Sequence, residues 1–217
     1  MKKENTKRFA IAFSLLSAFV LWTLLLGKVD VQPIGPRNSA VGFATVNGFV
    51  HSLTGTHMTL YTVTDWLGLV PVAFGFGFAV LGFCQWIKRK AIWRVDSSIL
   101  ILGGFYIVVL AVYLLFETVV INYRPVLIQG YLEVSYPSST TMLALCVMPT
   151  AAMQLRSRIR SRWLRGWVTG SIGLFTLFMV AGRLISGVHW LTDIVGGILL
   201  SGGLVTLYDA AVKMCKR

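Results

Sequence analysis

Apolar residues in this chain come in long blocks, not in strand-like alternation. Six stretches, Phe9–Leu26, Trp66–Ile87, Ser98–Phe116, Ser138–Leu155, Trp167–Leu184 and Leu191–Val212, carry few charges. Each is about the ~17–25 residues that a helix needs to cross a hydrocarbon layer. The fourth contains Pro149, which a membrane helix tolerates when neighbours satisfy the freed carbonyl. The sixth contains Gly196, Gly197, Gly202 and Gly203, which allow close helix approach. The first is long for a signal-peptide core, and no small-x-small site follows it, so it is expected to remain as a span. Between the first two blocks, Gly27–Asp65 opens with the breaker-rich Gln32–Arg37. Phe43, Val46, Phe49, Val50 and Leu53 then recur at helical spacing and predict an amphipathic helix over Ala40–Leu53, lying on the membrane surface. His51 on it and His57 after it read as interfacial polar residues. The expected fold class is all-α: a six-transmembrane helix bundle with an outer interfacial amphipathic helix, forming one domain over residues 1–217.

Composition excludes a soluble domain. Of the 217 residues, 56% are hydrophobic and 13% are charged, about half the ~25% usual for soluble domains. The net charge of +12 would suit a nucleic-acid partner, but its distribution does not. All basic residues except Lys28, Arg37, Arg124 and Arg183 fall in four clusters: before the first block, between the second and third, between the fourth and fifth, and after the sixth. Those clusters share one side of a six-span chain, which the positive-inside rule makes cytoplasmic, as are both termini. Trp66, Trp86, Trp163 and Trp190 stand near block ends as interfacial anchors. Membrane lipids, and not nucleic acid, are the expected surroundings. Cys84, Cys146 and Cys215 are odd in number and widely spaced, which suggests neither a disulfide framework nor a zinc site.

Two segments carry chemistry, and charge counting places both on the outer face. The first runs from Glu117 through Arg124-Pro125 to Ser135-Tyr-Pro137-Ser138-Ser139-Thr140-Thr141. The second is Gly182-Arg183-Leu-Ile-Ser-Gly-Val-His189-Trp-Leu-Thr-Asp193. Arg124 and Arg183 each offer a planar fork of donors suited to phosphate oxygens. Ser138, with Ser139 after it, precedes a helix whose first N–H groups favour an anion. His189 and Asp193 are four residues apart, so a helix would place them on one face. A carboxylate that accepts one ring N–H leaves the other nitrogen free to attack. Together these groups describe a phosphoryl-transfer site.

With these residues the chain resembles the membrane branch of the type-2 phosphatidic acid phosphatases, relatives of the vanadium haloperoxidases. The family motifs are K-x6-R-P, P-S-G-H and S-R-x5-H-x3-D. The third is matched by Arg183-x5-His189-x3-Asp193, with Gly182 in place of the serine. The first is matched at Arg124-Pro125, with Glu117 in place of the lysine. The second is matched at Pro137-Ser138, with Ser139 and Thr140 in place of glycine and histidine. The resemblance implies that His189 forms a phosphohistidine, that Asp193 orients it, and that Arg124, Arg183, Ser138 and Ser139 hold the phosphoryl oxygens. It implies no metal and no cofactor. It also implies a lipid phosphate substrate, handled at the outer leaflet of a bacterial plasma membrane.

Two substitutions modify that expectation. Thr140 cannot replace the histidine that protonates the leaving group, an effect worth about 10²–10⁴-fold. A lipid diphosphate such as a polyprenyl diphosphate, with phosphate as leaving group, tolerates that loss better than phosphatidate does. Glu117 puts negative charge where the family has positive. The sequence thus points first to a lipid phosphatase or diphosphatase. A phosphotransferase of the same fold and a catalytically impaired lipid-phosphate-binding protein are its alternatives.

Overall fold

The computed structural model describes residues 2–215, with side chains from Glu4 onward. Lys216 and Arg217, and the side chains of Lys2 and Lys3 in the first basic cluster, lie outside the described residues. Eight α-helices are present among the described residues: α1 (Lys2–Leu26), α2 (Ala44–Thr54), α3 (Met58–Leu67), α4 (Leu69–Arg89), α5 (Ser97–Thr118), α6 (Ser139–Arg158), α7 (Arg162–Ile185) and α8 (Leu191–Cys215). There are no strands among them, only isolated bridges such as Gln32–Val41 and Tyr123–Val134 that pin the loops. The chain is all-α, as its block pattern predicts.

Five segments are long and apolar enough to cross a membrane: Glu4–Leu26, Met58–Arg89, Ser97–Thr118, Arg162–Ile185 and Leu191–Cys215. Their outward faces reverse the soluble pattern, with Phe76 at 71% and Leu174 at 70% exposure. A belt of that kind is stable only in an apolar surrounding. The protein is a membrane protein.

The fourth expected span is the exception. It forms a helix, α6, but does not reach the apolar threshold of the other five. The reason is position: α6 packs against α4, α5, α7 and α8, and buries nine of its residues, including Thr141, Thr150 and Gln154. Its polar groups are satisfied inside the bundle. Thr150 donates to the Cys146 carbonyl at 2.8 Å, and Gln154 donates to the Ser98 carbonyl at 3.0 Å and to the Tyr208 hydroxyl at 2.5 Å. A helix shielded from lipid can carry donors and acceptors that an exposed one cannot.

Two other boundaries move. The second span begins at Met58, not Trp66, because α3 runs into α4 with only Gly68 between them and Gly68 keeps helical dihedrals. The amphipathic helix begins at Ala44, since Phe43 adopts a left-handed conformation with φ 50°. Phe49 and Leu53 on α2 are exposed, as an interfacial helix requires, but the opposite face is anchored. The buried Asn47 side chain donates to Thr192 Oγ1 at 3.0 Å and accepts from the Thr192 N–H at 3.2 Å, fastening α2 to the first turn of α8.

The ends of the bundle differ. At one end Arg8 pairs with Asp209, and Arg89 and Arg158 pair with Asp96. At the other, the loops after α1, α2, α5 and α7 touch one another. Arg37 donates to the Gly130 carbonyl at 3.2 Å, and the His57 N–H donates to the Ser186 carbonyl at 2.9 Å. Gly187, with φ 66°, makes the last contact possible. A Cβ there would lie 1.7 Å from the Gly55 carbonyl oxygen.

Candidate active site

The joined loops bring the two chemistry-bearing segments together. His189 lies in the short turn between α7 and α8, just before the helix and not on it, and Asp193 sits in the first turn of α8. Arg183, in the last turn of α7, is fully buried and donates from Nη2 to His189 Nε2 at 3.1 Å. Arg124, 9% exposed, lies on the loop after α5, held by its N–H to the Glu133 carbonyl at 3.0 Å. Both guanidinium groups stack over the Tyr61 ring, at 4.9 Å for Arg183 and 5.6 Å for Arg124.

Each arginine has one carboxylate beside it. Arg183 Nη1 is 3.5 Å from Asp65 Oδ1, and Arg124 Nε is 3.2 Å from Glu133 Oε2. Neither partner completes the fork. Arg124 Nη1 and Arg183 Nε are buried with no hydrogen-bond acceptor among the described residues, and Arg124 Nε meets Glu133 as an ion pair without hydrogen-bond geometry. Donors left open in that way, on two adjacent cations, fit an anion with several oxygens.

The tautomer of His189 follows from its partners. Arginine has only donors, so Nε2 must accept, and the ring proton must reside on Nδ1. Nδ1 lies 3.7 Å from Asp193 Oδ2, beyond hydrogen-bond reach, and 3.1 Å from Ser135 Oγ. Asp193 accepts from Ser135 Oγ, from the Trp190 N–H at 2.8 Å and from Asn122 Nδ2 at 3.4 Å. Burial first, then the charges of Arg183 and Arg124, hold the imidazole well below its usual value of 6.5. A backbone hydrogen bond at Ser135 favours the charged ring but is the smallest of the causes, so the midpoint moves down and Nε2 stays unprotonated at neutral pH. We expect ¹⁵N-histidine NMR of the substrate-free protein to show that the ring whose signal vanishes in His189→Ala titrates below pH 6.5. A midpoint at or above 6.5 would contradict the electrostatics.

The remaining expected site residues are placed less directly. Ser138 is the N-cap of α6, but its N–H donates to the Asp193 carbonyl at 3.2 Å and its hydroxyl donates to Thr141 Oγ1 at 3.0 Å. Ser139 and Thr140 are half-buried and, with Asp65, line a cavity of about 1070 Å³ between α4, α5 and α6. Apart from these groups its walls are apolar, with Phe76, Phe78, Leu102, Val109 and Val147. Glu117 is exposed near the end of α5, and lines a small crevice with Ser139 and His189. It pairs with neither arginine, since Asp65 and Glu133 hold those positions. Sequence reasoning assigned nothing to Tyr61, Asp65, Asn122, Glu133 or Ser135. Asn122 and Ser135 lie inside the chemistry-bearing segments and could have been flagged there. Tyr61 and Asp65 sit in a helix far up the chain and carried no signal.

Taken together, the bundle of lipid-facing helices encloses two adjacent buried arginines with a neutral histidine beside them, which defines a helical membrane protein with a buried cationic cluster. Residues 118–216 match the family profile of the PAP2 superfamily, a stretch that includes both arginines, His189 and Asp193. Over that stretch the chain is similar to the PAP2 superfamily. The crystal structure of a transmembrane PAP2-type phosphatidylglycerolphosphate phosphatase from Bacillus subtilis is similar to it, with a TM-score of 0.58 and 19% identity, covering 95% of this chain and 98% of that one. At that identity the likeness is one of fold. A comparison with curated protein sequences finds no match.

Proposed function

We propose that the protein is a lipid phosphatase in which His189 takes the phosphoryl group and passes it to water. The observation that carries this reading is the set of buried guanidinium N–H groups without acceptors beside a neutral histidine whose Nε2 lone pair is held by the same arginine and is released when phosphate oxygens take that N–H. Arg124 and Arg183 would grip the phosphoryl oxygens and gain strength as charge builds on them in the transition state. Nε2 attacks phosphorus while the bond to the lipid oxygen breaks. Water then attacks the phosphohistidine, the P–N bond breaks, and phosphate leaves. The apolar cavity, reached past Ser139 and Asp65, has room for a lipid chain. In this reading α6 completes six crossings, residues 1–217 form one domain, the termini are cytoplasmic, and the site faces the outside of a bacterial plasma membrane.

Thr140 sets the substrate preference. An alkoxide leaving group is about as basic as hydroxide and departs poorly without a proton donor. A phosphate leaving group has a second pKa of about 6 and departs without a donor. We therefore expect purified protein to release phosphate from a polyprenyl diphosphate with higher kcat than from the monophosphate, phosphatidylglycerophosphate or phosphatidate at pH 7. Thr140→His should raise the phosphatidate rate by up to about 10²-fold. Comparable kcat values on phosphatidate and the diphosphate would remove the preference. Phosphorylated acceptor in place of free phosphate would identify a transferase. Binding without release from any of the lipids would favour a lipid-phosphate-binding protein, the reading to which Glu117 and Thr140 lend weight.

A further inference from the structure

Resting on the phosphatase reading, we propose that Ser135 is a positioning residue through which Asp193 holds and polarises His189. The geometry leaves the hydroxyl one arrangement. Nδ1 carries the ring proton, so Ser135 Oγ accepts it at 3.1 Å, and the hydroxyl's own hydrogen goes to Asp193 Oδ2. The direct separation from Nδ1 to the carboxylate, 3.7 Å, is too long for a hydrogen bond. All three side chains are almost wholly buried, in surroundings where a chain of hydrogen bonds reinforces itself.

The backbone fixes the serine where the relay needs it. Its N–H donates to the Asn122 carbonyl at 2.9 Å, and the Asn122 side chain reaches Asp193 Oδ1. The following residue, Tyr136, lies against α8 at Gly196, where a Cβ would come within 2.5 Å of the ring. Three residues on, the Ser138 N–H donates to the Asp193 carbonyl. The segment 135–138 is therefore fastened to the first turns of α8, and His189, Ser135 and Asp193 move as one unit. During attack the imidazole gains positive charge as the bond from Nε2 to phosphorus forms and the lipid oxygen departs. Asp193 stabilises that charge through the serine dipole. No proton leaves Nδ1, and none is required when water cleaves the P–N bond and the ring returns to neutral.

The test is a double-mutant cycle with Ser135→Ala and Asp193→Asn, using single-turnover phosphate release and the Kd for inorganic phosphate. Ser135→Ala should lower the rate about 10–100-fold and leave the Kd within about 3-fold, because the arginines are untouched. Asp193→Asn should cost at least about 10²-fold alone but only about 3-fold in the Ser135→Ala background, since the link is already broken. In ¹⁵N spectra, Ser135→Ala should keep the Nδ1–H tautomer that Arg183 imposes but shift the Nδ1 and Nδ1–H resonances to those of a ring N–H without its acceptor, a change that loosened packing alone would not produce. Independent, multiplying effects of the two substitutions, or a Ser135→Ala rate within about 3-fold of wild type, would overturn the proposal. If Ser135→Ala does not fold, judged by loss of stabilisation by phosphate, Ser135→Cys keeps the volume and donates weakly. It should still lose about 10-fold, and full activity would equally overturn the relay. Phosphate release that survives His189→Ala defeats the phosphatase mechanism itself, whereas the Nδ1–H resonance judges the Ser135 link whatever the substrate.

Discussion

His189→Ala should lower phosphate release by at least about 10⁴-fold, to the level that binding and arginine electrostatics alone sustain. The reason is covalent. Among the described residues the nearby side chains that could compete are engaged: Ser135 Oγ donates to Asp193, Ser138 Oγ to Thr141 and Ser186 Oγ to the Arg183 carbonyl, and Asp65 is paired with Arg183. The variant should bind inorganic phosphate about as well as wild type, because both arginines keep their places over Tyr61. Acid-labile ³²P on the wild-type protein, absent from the variant after a rapid quench, would trace the intermediate. Undiminished turnover in His189→Ala would end the mechanism.

The second large effect is expected at Arg183. Arg183→Lys keeps a positive charge but loses the planar fork that spans His189 and Asp65. A lysine could point at phosphate or at the imidazole, not at both. We expect kcat/KM to fall about 10²–10³-fold and phosphate binding to weaken with it, because the donor acts on ground state and transition state alike. The fold should survive, since the ammonium replaces a buried cation with another cation and Asp65, with 56% of its side chain exposed, can be solvated. A kcat/KM within about 3-fold of wild type would show that Arg183 does not touch the transferred group.

The pattern of apolar blocks made most of the helices readable, because a lipid-facing helix must be greasy along its whole length. It misread the polarity of α6 for the converse reason: inside the bundle, Thr150 and Gln154 find partners that no one-dimensional pattern contains. Charge counting brought Arg124, Arg183, His189 and Asp193 to one end, since loop charge reports sidedness independently of packing. Contact between distant segments stayed illegible. Asp65 meets Arg183 across 118 residues, and Asn47 meets Thr192 across 145. The histidine's link to its carboxylate was legible in its ends but not its middle. Spacing of four residues predicts a direct contact on a helix, whereas His189 precedes α8 and a hydroxyl from another segment fills the gap.

The carboxylates beside the two arginines have a kinetic consequence. In the proposed function, an arriving phosphate takes the open donors and competes with Asp65 for Arg183 and with Glu133 for Arg124, so part of its attraction offsets weakened pairs and affinity is held down. When product departs, the same side chains swing back and no bare cations are stranded. On the proposed mechanism, built-in competitors of that kind would keep inorganic phosphate from lingering between turnovers.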